Sequence, residues 1–197
     1  GCHTGTISDA FLEMYKAGKL TNARKELDNG LSAWNLAMGS QELYDWLDAE
    51  PQLFHPGDLD YIHSVERISR LSNVISINGG VQLDLMGQEN AESVGTRQLS
   101  GIGGQMDFLE GAFRSKGGKG FICINSSRVT KDGQRKSNIL ATIPGGSTIS
   151  APRTMIQYVA TEYGIASLSG KTLRERAEAM ASIAHPDFRE ELLKYAR

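Results

Sequence analysis

Three things are scarce in this chain of 197 residues: cysteine, an excess of basic charge, and long apolar runs. With Cys2 and Cys123 as its only cysteines it has no disulfide framework, and a pair of thiols suits a reducing compartment, so a cytoplasmic location is expected. Lys and Arg number 21 against 23 Asp and Glu, a net charge of −2, which leaves nothing to hold a phosphate backbone, so no nucleic-acid partner is expected. No apolar stretch approaches the ~20 residues of a membrane span and no signal-peptide pattern is present, so no membrane partner is expected. His3, His55, His63 and His185 lack the spacing of metal ligands, and no metal site is expected. What the chain does have is 40% hydrophobic and 22% charged residues, enough for one domain with a real core. It starts on Gly1 inside motif-like sequence, which suggests the C-terminal part of a longer protein.

Strand and helix signals interleave along the chain. A first helix is expected after GCHTGTIS, with Thr6 or Ser8 as N-cap, an apolar stripe of Phe11, Leu12, Met14 and Tyr15, and Gly18 at its end. LSAWNLAMG reads as a short strand and SQELYDWLDAEP as a helix capped by Ser40; FHPGDLDYIHSVERISRLS gives no clear signal. NVISIN and VQLDLM are strand-like runs parted at Gly79 and Gly80. KGFICINSSRV and NILATIP read as strands on either side of a hairpin-like TKDGQRKSN, and MIQYVATEYGIASL as a strand running into a loop. Thr172 and Glu175 form a T-x-x-E capping box, and a last helix starts at Pro186. The alternation points to a layered α/β domain.

The chemistry-bearing stretch is SGIGGQMDFLEGAF, where Gly101, Gly103 and Gly104 feed directly into a helix. A glycine loop at a helix N-terminus offers N–H groups and a positive dipole end to a phosphate or to a carbonyl gaining negative charge; it also reads as a plain tight turn. It does not match the dinucleotide fingerprint. SKGGKG then adds Lys116 and Lys119 beside a second glycine pair, a combination that favours a phosphate-bearing ligand. Cys2 and His3 are adjacent in an extended stretch and point to opposite faces, so a small buried thiol is the simpler reading of Cys2. Glu89 and Glu92 in GQENAES carry nothing that separates them from surface glutamates, and Glu162 in TEYG suits either a ligand or a structural hydrogen bond.

The ordered set GCHTGTISDAF, INGGVQLDLMGQENAES, SGIGGQMDFLEGAFRSKGGKGFI, APRT, VATEYGIASLSGK and LRERAEAMASIAHPDFREELLKYA resembles the C-terminal domain of the acetyl-CoA hydrolase/transferase family, from residue 1 to residue 197. The resemblance implies a NagB/RpiA/CoA-transferase-like α/β fold with a mostly parallel sheet flanked by helices. It also implies an N-terminal partner domain in the same protein, a possible homodimer, and acyl-CoA with a small carboxylic acid as substrates. Family members act through a glutamate that attacks the thioester, a case of nucleophilic catalysis. That glutamate lies in an H-T-E or H-S-E stretch leading to S-D-G, whereas this chain reads His3-Thr4-Gly5 and then Ser8-Asp9-Ala10. Gly5 therefore stands where the nucleophile is expected and is itself inert. Gly80, Gly103, Gly104 and Lys119 match the family's CoA-binding positions, while Ser167 and Ser169 replace the Asp and Arg of an A-D-L-R-G pattern.

A missing nucleophile leaves three readings open. Water attacks the thioester beside an intact glycine loop and the protein is a hydrolase; another carboxylate, from the partner domain or Glu89, sustains CoA transfer; or the domain binds CoA or packs without catalysis.

Overall fold

Strand β1 (His3–Ile7) pairs in parallel with β2 (Ser32–Ala37), and β2 with β3 (Phe54–Pro56). Parallel neighbours need crossovers, and the helix after β1, α1 (Asp9–Lys16), and the helix after β2, α2 (Gln41–Ala49), provide them. The computed structural model describes residues 1–196. The chain divides into two compact units, the first comprising Gly1–Val74 and Glu110–Gly118, the second Ile75–Leu109 and the chain from Lys119.

In the first unit the helix starts differ from expectation in one respect. Thr6 lies inside β1, and Ser8 occupies the N-cap of α1 without making a side-chain bond. The first-turn Asp9 carboxylate instead accepts from the Ser40 hydroxyl at 2.6 Å and from its amide at 3.1 Å, so the two helix starts are tied to each other. Ser40 still caps α2, its hydroxyl accepting from the Leu43 amide at 3.3 Å. Gly18 follows α1 at φ +67°, the conformation that ends a helix most readily when no Cβ is present. The core gathers Ile7, Leu12, Leu43, Trp46 and Phe54, with the Trp46 ring edge-on to Phe54 at 4.8 Å and tilted against Tyr15 at 4.9 Å. The stretch without a clear sequence signal holds two short helices, α3 (Leu59–Ile62) and α4 (Val65–Arg70), capped by Asp58 and Ser64.

The second unit carries a four-stranded sheet. Its members are β4 (Ile75–Gly79) and, further along the chain, the strands Lys119–Cys123, Tyr158–Thr161 and Gly164–Ser167. Between them lie β5 (Gln82–Asp84), β6 (Glu89–Asn90), β7 (Ser93–Val94), β8 (Arg97–Gln98) and helix α5 (Gln105–Arg114). Lys119–Cys123 is then β9, followed by β10 (Ser127–Val129), β11 (Arg135–Ser137) and β12 (Ile139–Leu140). Tyr158–Thr161 is β13 and Gly164–Ser167 is β14; helices α6 (Leu173–Ser182) and α7 (Pro186–Leu193) follow. The sheet order is β14-β13-β9-β4, with β4, β9 and β13 parallel.

MIQYVATEYGIASL is not a strand running into a loop: β13 and β14 form an antiparallel hairpin. The Thr161 hydroxyl accepts from the Tyr163 amide at 3.1 Å and Gly164 sits at φ +141°, which together reverse the chain in two residues. A smaller sheet places β5 between β12, parallel, and β6, antiparallel. The core under both sheets includes Leu83, Leu85, Leu109, Ile122, Val159, Leu168 and Met180. Burying each such side chain is worth about 1.5–3 kcal/mol. The capping box of α6 is formed in both directions, Thr172 with Glu175, and Pro186 opens α7. Arg176 of α6 is buried, yet its guanidinium donates to the carbonyls of Met86 at 2.7 Å, Leu168 at 2.8 Å and Arg153 at 2.8 Å.

Candidate functional site

The parallel strands β4 and β9 end side by side, Gly79 opposite Cys123, and the chain leaves β4 through the glycine pair. The Gly80 amide donates to the Cys123 carbonyl at 3.2 Å, and Val81 donates to Asn90 at 2.9 Å. In α/β sheets the carboxyl ends of the strands are where ligands bind. Gly80 is there for space: a Cβ on it would lie 2.7 Å from Glu89 Oε1, 2.9 Å from Ile124 and 3.1 Å from Ile122.

The second element is the loop 101–104 leading into α5. Gly103 holds φ +59°, with nothing within 4 Å of where a Cβ would stand, so conformation rather than crowding requires glycine there. Gly104 closes the first helical bond, its carbonyl accepting from the Phe108 amide at 3.1 Å. Gly101 and Gly103 are exposed, Ile102 and Gly104 are half-buried and Gln105 is buried, so the loop before the positive end of the α5 dipole is open to solvent at two of its glycines.

Between these two glycine segments stands Glu89, with 0% of its surface exposed. The side chain of Gln105, first residue of α5, donates to its Oε2, whereas Oε1 has no hydrogen-bond partner among the described residues. Burial pushes the carboxyl up to about 8, the bond from Gln105 opposes this and the nearby Glu92 carboxylate reinforces it, so Glu89 is uncharged at neutral pH. Its backbone is pinned in both directions, accepting from Ser150 at 2.8 Å and donating to Ala151 at 3.0 Å. Sequence reading could not separate Glu89 from a surface glutamate and did not single out Gln105. The available signal for Gln105 was its place directly behind the glycine loop; Glu89 had none, because its burial comes from pairing of β6 with β5 and with residues about 60 positions away.

The other candidates are placed as follows. Lys119 is exposed at the start of β9, four residues and so about 13 Å along the strand from Cys123 and the Gly79–Gly80 end. Gly80, Gly103 and Gly104 come together around Glu89 and Gln105; Lys119 is at the opposite end of the same strand. Gly5 belongs to the first unit, half-buried in the middle of β1. Beside it His3 is held through Nε2 on the Ile62 carbonyl at 2.8 Å, and burial lowers its basicity. Cys2 is 2% exposed and burial pushes its thiol up to about 12, against the pull of Lys25, so it is not a thiolate nucleophile. Burial raises Glu162, but the Ser126 hydroxyl at 2.6 Å and amide at 2.9 Å outweigh that and hold it below the usual carboxylate value, a structural clamp at the end of β9. Among the described residues no group of three or more His, Cys, Asp or Glu could hold a metal ion, and no helix is long and apolar enough to cross a membrane.

Residues 39–196 match the acetyl-CoA hydrolase/transferase C-terminal domain. The chain belongs to the acetyl-CoA hydrolase/transferase family. It is 44% identical to a butyryl-CoA:acetate CoA-transferase of Anaerostipes caccae, over 100% of this chain and 44% of that protein. With a 4-hydroxybutyrate coenzyme A transferase of Clostridium kluyveri it shares 43% identity, over 98% of this chain and 44% of the relative. Among solved structures it is similar to RipA from Yersinia pestis, with a TM-score of 0.90 and 38% identity over 100% of this chain and 43% of that one. The chain therefore spans less than half the length of the acetyl-CoA hydrolase/transferase relatives it matches. The α/β fold with parallel strands is that of these CoA-transferase domains.

Proposed function

We propose that this chain receives an acyl-CoA thioester, of a short-chain acid, at the loop 101–104 and the Gly80 turn, and that it belongs to a protein that either hydrolyses the thioester or passes CoA to a carboxylic acid. The observation that carries the reading is the start of α5. A glycine at φ +59° and a second one closing the first helical turn bring a loop with two exposed glycines to a helix N-terminus, and Glu89 lies against both the first residue of that helix and the close-packed Gly80. Such a terminus carries N–H groups without intrahelical partners and suits a carbonyl oxygen that gains negative charge. Each such donor is worth about 2.7–4 kcal/mol in comparable sites. Gly80, Gly103 and Gly104 would lie against CoA; Lys119, at the far end of β9 from them, is not part of this reading.

Two features support hydrolysis over transfer for the residues present. Gly5 brings no carboxylate to β1. Glu89, the alternative within the chain, is enclosed and uncharged, the reverse of what a carboxylate nucleophile needs. In hydrolysis the oxygen of water bonds to the acyl carbon, the carbon–sulfur bond breaks, and the proton released from water ends on the CoA thiol. Transfer requires a carboxylate from the partner domain, which would also set acyl selectivity. The test is turnover of acetyl- and butyryl-CoA by the full-length protein with and without an acceptor acid. Thioester cleavage without acceptor is expected; strict acceptor dependence would reject hydrolysis in favour of transfer, and CoA binding without turnover would leave a binding domain.

A further inference from the structure

Glu89 takes no part in the chemistry above, yet it touches both segments that the CoA reading uses. Its Oε1 occupies the space beneath the turn at 78–80 that a side chain on Gly80 would need, 2.7 Å from the position of such a Cβ. Its Oε2 accepts from Gln105, the residue that joins the loop 101–104 to α5. Strand β6 fixes it from behind through Ser150 and Ala151. Gln105, the backbone at 150–151 and the place a Gly80 side chain would take lie against it, and the charged group acting on it is Glu92, of the same sign, itself bonded to the Ser150 hydroxyl at 2.7 Å. With Oε2 accepting from Gln105, the proton of the neutral acid belongs on Oε1, where it stands as a buried hydroxyl without an acceptor.

We propose that Glu89 is a positioning residue for CoA binding: its carboxyl, wedged between Gly80 and Gln105, fixes the spacing of the two glycine segments that receive the thioester end. The proposal rests on the CoA reading above. An ionised carboxyl at this spot would be a buried charge without a cation and would repel Glu92, so the wedge holds only while protonated.

The full-length protein and its Glu89→Gln and Glu89→Ala variants are titrated with CoA at pH 7 and pH 9, and amide-exchange protection of residues 78–80 and 101–107 is followed over the same range without ligand. With the carboxyl titrating at about 8, the competent fraction falls about tenfold between these pH values, and the CoA dissociation constant of the wild type rises about tenfold relative to Glu89→Gln. Comparison with Glu89→Gln, which keeps the Gln105 bond and cannot ionise, cancels the titration of CoA itself. Glu89→Ala, which leaves Gln105 unpaired, binds more weakly at both. Protection of the two segments follows the same pattern: lost with rising pH in the wild type, kept in Glu89→Gln, low throughout in Glu89→Ala. Parallel pH dependence of wild type and Glu89→Gln in affinity and in protection overturns the proposal. Pattern-following protection with no CoA binding by any form upholds Glu89 as the post of the two segments and removes the CoA reading instead.

Discussion

The strand around Gly5 and the pocket around Glu89 differ in the group that matters most to the proposed chemistry, a carboxyl. In β1 His3 is anchored on Ile62 and threonines flank position 5, which carries no side chain. Around Glu89 the carboxyl is present, but with 0% exposure and no cation to hold its charge it stays protonated. The carboxyl this chain does bury is thus set apart from nucleophilic chemistry by its environment and not by its residue type. Arg176 extends the contrast within the second unit. It is buried like Glu89, yet three carbonyls satisfy its guanidinium, whereas Glu89 leaves one oxygen unbonded.

The largest effect should come from placing a carboxylate in β1. Gly5→Glu is expected to raise CoA transfer to an added carboxylic acid by about 10³-fold or more, the scale on which covalent nucleophiles contribute. An unchanged product profile in a transfer assay would contradict the placement of the site. Next is the pH dependence of stability. The folded-state value of Glu89, about 8, lies above its ordinary 4.5, so the folded protein binds the extra proton and wild-type stability falls as pH rises from 4.5 to 8 and is level beyond. The fall amounts to roughly 5 kcal/mol at most, and Glu89→Gln should lack it; urea unfolding of both proteins at pH 5, 6.5 and 8 measures the difference. Arg176→Met should cost about 3 kcal/mol, because three carbonyls, that of Leu168 buried and those of Met86 and Arg153 partly so, lose their donor, and a loss below 1 kcal/mol in the same assay would contradict this. Smallest is Gly103→Ala. With open space around the Cβ, the penalty is that of a left-handed conformation, about 1–2 kcal/mol, with weaker CoA binding if the loop relaxes to avoid it.

Much of the frame was legible because it is written in local signals. The Thr172–Glu175 box, Pro186, Gly18 and the loop-to-helix step at Gly104–Gln105 each act within a turn of chain, and each stands where the sequence puts it. Propensity chose the element but not the face in β4: Ile75 and Ile77 are 51% and 70% exposed while Ser76 is buried. Asp58 and Ser64 were usable cap signals for α3 and α4, but helices of four and six residues have too little apolar stripe to announce themselves. The β13–β14 hairpin was hidden because TEYG lacks the usual two-residue turn pair. In the candidate site the glycines were readable, since each marks a backbone demand. Glu89 was not: polar neighbours Gln88 and Asn90 suggest surface, and only pairing of β6 with β5 and with Ala151 encloses it.

On the function proposed above, these 197 residues handle the thioester without supplying the attacking carboxylate. Mapping of peptides by mass spectrometry after incubation with acyl-CoA and treatment with hydroxylamine or borohydride tests it directly. The prediction is no modified carboxylate in residues 1–197 of the wild type and a modified residue 5 in Gly5→Glu. A modified Glu89, or any other modified Asp or Glu in this chain, would contradict it.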